Sequence, residues 1–162
     1  MDKSKQALEG LWEVFQMKMA LEGHIQKERL KGHTPSEIHC IQYVGDHPDS
    51  NVTKLASAFR MTTGGVTKLT KKLLEKGLLE AYKSPDNRKE VYFRLTPEGQ
   101  AVYRIHEQLN REFDERDRPV LEQFSEGEYD CLLHFITLYN QHLNRELQKL
   151  HIDIKSGIAD KL

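Results

Sequence analysis

Apolar residues recur at helical intervals along nearly the whole chain, and only between residues 79 and 95 does the pattern turn strand-like. From Lys3 to about Arg29, Leu8, Leu11, Trp12, Phe15 and Met19 repeat at such intervals with no proline, which predicts one long helix. Its stripe is wide for an isolated helix and predicts burial against a partner. A second helix starts with Thr34 as cap, Pro35 at its first position and Glu37 completing a reciprocal capping box. Ile38, Ile41, Tyr43 and Val44 form its apolar face, and the turn chemistry of Gly45 to Ser50 ends it.

The stretch from Asn51 to Leu95 organises the rest. Capped by Asn51 or Ser50, a short helix places Val52, Leu55, Ala56 and Phe59 on one side. Arg60, Met61 and Thr62 connect it to another helix, about as tightly as a helix-turn-helix requires. That next helix has hydroxyl caps at Thr62 and Thr63, runs over Gly64 to Lys76, and stops at Gly77. Val66, Leu69 and Leu73 make its packing stripe, with Thr67, Lys68, Lys71 and Lys72 on the other side. Gly64 and Gly65 cost roughly 1 kcal/mol each against alanine in a helix. Two explanations stand side by side: close packing on the preceding helix, or close approach of a phosphate to a helix N-terminus.

Leu79 to Lys83 and Glu90 to Leu95 are rich in aromatic and branched residues and predict two strands. Between them, Pro85, Asp86 and Asn87 predict a projecting polar tip that presents Arg88 and Lys89. Thr96 and Pro97 open a further helix that runs to about Arg118, where Pro119 is expected to interrupt it. Ser125 and Glu128 form a second capping box ahead of the last apolar pattern, Tyr129 to Leu150. Helices this amphipathic at both ends of the chain are expected to pack together, and Ser156 to Leu162 to fray.

Charge sharpens the picture. Residues 52 to 95 hold ten Lys or Arg against four Asp or Glu, about +6, in a chain whose net charge is −1. A basic helix face beside a basic loop tip is the electrostatic footprint of a duplex-DNA binder, since phosphate neutralisation supplies most of the affinity. A solvated, salt-bridged helix face would be the bland alternative for the lysines taken alone.

In order, the segments Thr34 to His39, Asn51 to Ala56, Met61 to Leu69, Lys76 to Glu80, Asp86 to Lys89 and Leu95 to Gly99 resemble the MarR family of bacterial transcriptional regulators. The resemblance implies a mainly α (α+β) fold spanning 1–162 as a single unit. Its winged helix-turn-helix part covers 31–96, and a helical dimerisation part is built from 1–30 and 97–162. It further implies a homodimer on a palindromic operator in double-stranded DNA, acting as repressor or activator. Thr62, Thr63, Thr67, Lys68 and Lys71 are the candidate contacts of the major-groove helix and Arg88 and Lys89 those of the wing, whose arginine the resemblance places in the minor groove with Asp86 orienting it. The alternative is a winged-helix interaction module that binds an acidic partner, because fold alone does not fix function.

Other chemistry is sparse. There is no glycine-rich phosphate loop after a strand, nucleophile elbow or zinc-protease helix, so no catalytic residue is assigned and an enzyme is not expected. No motif requires a cofactor, and zinc is the one candidate: the family has a zinc-responsive branch, and Glu22, His24, Glu37, His39, His106 and Glu107 are ligand types in the corresponding regions. Asn110 stands where a second histidine one turn after His106 would complete a helical pair. A small-molecule effector is the other expected modulator, with Trp12, Tyr43 and Tyr103 as pocket-lining aromatics. Cys40 and Cys131 fit no metal or redox spacing and are expected to be reduced and buried. No apolar run reaches the roughly 18 residues of a membrane span, so a soluble cytoplasmic protein with no membrane partner is expected.

Overall fold

The computed structural model describes residues 2–151, so the expected fraying of Ser156 to Leu162 lies outside the described residues. The chain forms α1 (Lys3–Arg29), α2 (Pro35–Asp46), β1 (Ser50–Asn51), α3 (Val52–Phe59) and α4 (Thr63–Glu75). These are followed by β2 (Leu79–Ser84), β3 (Asn87–Leu95), α5 (Pro97–Leu121) and α6 (Glu126–Lys149). Helix starts follow the capping chemistry. Thr34 accepts from the Glu37 N–H at 3.3 Å while the Glu37 carboxylate accepts from the Thr34 N–H at 2.9 Å. Asn51 caps α3, Thr62 caps α4, Thr96 caps α5, and Ser125 with Glu128 forms the box at α6. Each such cap is worth about 1 kcal/mol against alanine.

The three strands form one antiparallel sheet in the order β1-β3-β2. Leu79 pairs with Leu95, Ala81 with Phe93 and Tyr82 with Tyr92, and the register slips between Tyr82 and Ser84. Strand β1 lies outside the predicted elements: Ser50 ends the turn and Asn51 caps the next helix by composition, but the two also pair with Phe93 and Tyr92 and bury both side chains. The core lies between α2, α3, α4, the sheet and the first half of α5, with Ile41, Leu55, Val66, Leu73 and Leu109 fully buried.

The turn from α4 into the sheet seats α5. Gly77 takes φ +70°, its N–H bonds the Leu74 carbonyl and the Leu78 N–H the Leu73 carbonyl, both at 3.0 Å, the paired bonds of a Schellman end. The Thr96 hydroxyl then donates to the Gly77 carbonyl at 2.6 Å, and the Thr96 N–H to Leu78 at 3.2 Å. Gly99 lies so close to this turn that a Cβ on it would stand 2.0 Å from the Leu78 carbonyl oxygen.

Three expectations need correcting. Pro119 does not interrupt α5, which continues to Leu121; one missing N–H so near a helix end removes a single bond. Cys40 is buried, but Cys131 on α6 is exposed. The terminal helices do not bury each other within one chain: neither α1 nor α6 contains a buried residue. Trp12, Phe15 and Met19 on α1, and Leu132, Leu133 and Leu138 on α6, all stand exposed.

Candidate nucleic-acid interface

Helix α4 presents its outer face because its inner one is fully used. Val66 and Leu73 are buried, and Thr70, buried between them, donates its hydroxyl to the Val66 carbonyl at 3.0 Å. Opposite them Thr63, Thr67 and Lys71 recur every four residues, with Gly64 and Lys68 alongside, and all five are exposed. Arg60, at φ +54°, makes the left-handed turn between α3 and α4, and the Met61 N–H returns to the Ala56 carbonyl at 3.1 Å.

The hydroxyls have structural duties as well. Thr62 is exposed, and its oxygen accepts from the Gly65 N–H at 3.1 Å. Thr67 donates to the Thr63 carbonyl at 2.8 Å. Of the two glycine explanations, the structure removes packing for Gly64, whose added Cβ would meet nothing within 4 Å. Space outside the first turn of α4 is open at that point.

The wing is tighter than its sequence implies. Strand pairing continues through Ser84 opposite Asn87, leaving Pro85 and Asp86 at the tip. Arg88 and Lys89 stand exposed at the start of β3, and the Lys89 N–H bonds the Asn87 side chain at 3.2 Å. Among the described residues Lys68, Arg88 and Lys89 make no ion pair, and Asp86 makes none with Arg88. Lys71 lies 4.0 Å from Glu75 with both groups in solvent, a contact worth little.

Lys72 does not belong with the free lysines. Its ammonium lies 2.9 Å from Glu37, and that of Lys76 is also at 2.9 Å, so a wholly buried carboxylate on α2 holds two lysines of α4. Burial by itself pushes the Glu37 carboxyl upward, but the Lys76 and Lys72 ammoniums and the Thr34 N–H more than reverse this and hold it at about 2. The capping box accounted for Glu37 locally; nothing local marked a pairing 35 and 39 residues away.

The candidate metal ligands are largely engaged elsewhere. Glu22 is bound by Lys18 and by Arg116, the latter at 2.8 Å, and Glu37 is held as described. His24 and His39 are exposed and Glu107 half-buried, while His106 is buried with the Asn110 amide 3.4 Å from its Nδ1. Burial lowers the His106 pKa. Among the described residues of one chain, no three His, Cys, Asp or Glu side chains converge for a metal. Burial raises the Cys40 thiol to about 12, which leaves it without thiolate character. Within one chain each of the three aromatics has its own neighbour: Trp12 stacks with Phe15, Tyr43 with His47, and Tyr103 donates to Asp46 at 2.6 Å. No described helix is long and apolar enough to cross a membrane.

Comparison with known proteins agrees with this architecture. The MarR family model matches residues 33–91. The HTH-type transcriptional regulator PchR of Bacillus subtilis (strain 168) is 31% identical over 111 residues, covering 68% of this chain and 66% of PchR. YhjH of the same organism, an uncharacterised HTH-type transcriptional regulator, is 36% identical over 95 residues, 59% of this chain and 54% of YhjH. The matched stretch is thus less than two thirds of either relative's own length. Among solved structures, Streptococcus pneumoniae FabT in complex with DNA superposes with a TM-score of 0.70 at 24% identity, covering 88% of this chain and 98% of that one. The adhesin competence repressor AdcR of Streptococcus pyogenes gives 0.65 at 22% identity, covering 84% and 97%. The fold shared with both is the winged helix-turn-helix traced above, and the chain belongs to the MarR family.

Proposed function

We propose that the protein is a transcriptional regulator that binds a palindromic operator as a homodimer, with α4 in the major groove and the wing against the backbone and minor groove. The observation that carries this is an α4 face of exposed Thr63, Thr67, Lys68 and Lys71 beside a wing whose Arg88 and Lys89 make no ion pair among the described residues. Unpaired cations of this kind release counterions from DNA. The open space at Gly64 suits a phosphate at the N-terminus of α4.

Selection of bound sites from random duplex at near-physiological salt tests the reading. A palindrome with half-sites about one helical turn apart is the expected product, because operator symmetry follows protein symmetry. Enrichment of no sequence would sink the reading and favour an acidic protein partner. Repeating the selection with a chelator and with added zinc tests modulation by metal. At the level of residues, Lys71→Ala is expected to weaken all duplexes alike and flatten the salt dependence. Lys68→Ala is expected in addition to relax preference at one base pair, and identical behaviour of the two would refute that division.

The dimer is supported by the apolar faces of α1 and α6, which leave Trp12, Phe15, Met19, Leu132, Leu133 and Leu138 in water, since contiguous exposed apolar surface marks an interaction site. Between α1 and the end of α5 runs a groove of about 500 Å³, walled by Val14, Met17, Leu21, Val120 and Leu121, suited to a partner's helix. Sedimentation at micromolar concentration should show a dimer for the native chain and a monomer for a Trp12→Glu, Leu138→Glu double variant. A native monomer, or a dimer unmoved by both charges, would reject this interface.

A further inference from the structure

We propose that Glu37 is a positioning residue for sequence reading: it withdraws Lys72 and Lys76 from the DNA-facing side of α4 and fixes that helix about its own axis. This rests on the reading of α4 as the DNA-contacting helix. Four lysines lie on α4 or at its end, and by helix geometry Lys72 and Lys76 sit roughly 40° and 80° around the axis from Lys68. Left free, they would extend the basic face sideways. Such a helix could meet phosphates in several rotational settings, which adds affinity without sequence information.

Glu37 prevents this with a built clamp. Its side chain is 0% exposed, in the first turn of α2, where the helix dipole favours a carboxylate. One oxygen meets Lys72 at 2.9 Å. The other meets Lys76 at 2.9 Å and the Thr34 N–H at 2.9 Å, and Lys76 also donates to the Gly32 carbonyl at 2.9 Å. The His33 ring nitrogen stands 4.0 Å away on the same side. Two ion pairs one turn apart on α4, that of Lys76 hydrogen-bonded and that of Lys72 a close contact of charges, converge on one buried carboxylate and oppose rotation of the helix.

A structural role alone would move only stability, so the decisive readouts are the salt slope of binding and the ratio of operator to scrambled-duplex affinity. Both are measured first for the native chain; failure to prefer any site there would refute DNA reading itself rather than the clamp. Lys71→Gln is expected to flatten the slope by about one unit, the mark of a lost phosphate contact, and Lys72→Gln to leave the slope unchanged while lowering the specificity ratio about threefold. Glu37→Gln frees both lysines: scrambled-duplex affinity should rise about tenfold, the slope steepen by about one to two units and the ratio fall about tenfold. Adding Lys72→Gln and Lys76→Gln to that variant should restore the slope and not the ratio. Flattening of the slope by Lys72→Gln as by Lys71→Gln overturns the proposal. So does a Glu37→Gln variant, folded by circular dichroism, whose slope and ratio match the native ones. If Glu37→Gln does not fold, the Lys72→Gln slope decides alone.

Discussion

Gly99→Ala is expected to destabilise the protein by about 3 kcal/mol, lowering the midpoint of thermal unfolding by roughly 10 °C. The added methyl would stand 2.0 Å from the Leu78 carbonyl oxygen and 3.0 Å from its carbon. Neither atom can rotate away, because the Leu78 carbonyl accepts the Thr96 N–H and the Leu78 N–H is fixed to Leu73. Relief requires α5 to lift from the α4–β2 turn, which loosens the packing of Val102 and Leu109. Gly127→Ala is the matched control: its Cβ meets nothing within 4 Å, so helix propensity alone should make it neutral or slightly stabilising. If calorimetry gives the two variants the same midpoint, α5 is not seated against Leu78.

Glu37→Ala should cost about as much, near 3 kcal/mol. Breaking a buried ion pair commonly costs about 3–5 kcal/mol when it strands a buried charge. Here the lower end applies, since Lys72 and Lys76 keep partly exposed side chains and can turn to water. The pH dependence carries a more specific signature. The Glu37 carboxyl is held at about 2 against an ordinary 4.5, so unfolding raises its proton affinity. Its contribution is therefore complete above about pH 4.5, declines as pH falls through that window, and vanishes below about 2. Denaturant unfolding of the native chain and of Glu37→Gln between pH 6 and pH 2 should show a stability gap that closes over the lower half of that range. A gap independent of pH would mean that the carboxylate charge is not what holds the clamp.

Local rules carried far along this chain because its element boundaries depend on neighbours in sequence. Thr34, Asn51, Thr62, Thr96 and Ser125 cap where their oxygens reach an N–H three residues on, and Gly77 ends α4 because a left-handed residue is required there. Strand β1 escaped the same rules. Two residues have no periodicity, and Ser50 and Asn51 are extended only because β3 offers its free edge to them. Pro119 leaves its helix intact because its effect depends on how much helix follows, and here that is two residues.

Within the candidate interface, periodicity and turn chemistry are enough to show which residues face outward on α4 and that Arg88 and Lys89 ride on a hairpin. Which of the lysines are free depends on long-range packing. Lys71 and Lys72 are adjacent and chemically identical, yet Lys71 stays in solvent while Lys72 is drawn to Glu37, 35 residues earlier. The same holds for the open space at Gly64, the close seat of Gly99 and the uncovered faces of α1 and α6. Each depends on which distant surface arrives beside a residue, and a charge or a volume has no preference until packing sets that surface in place.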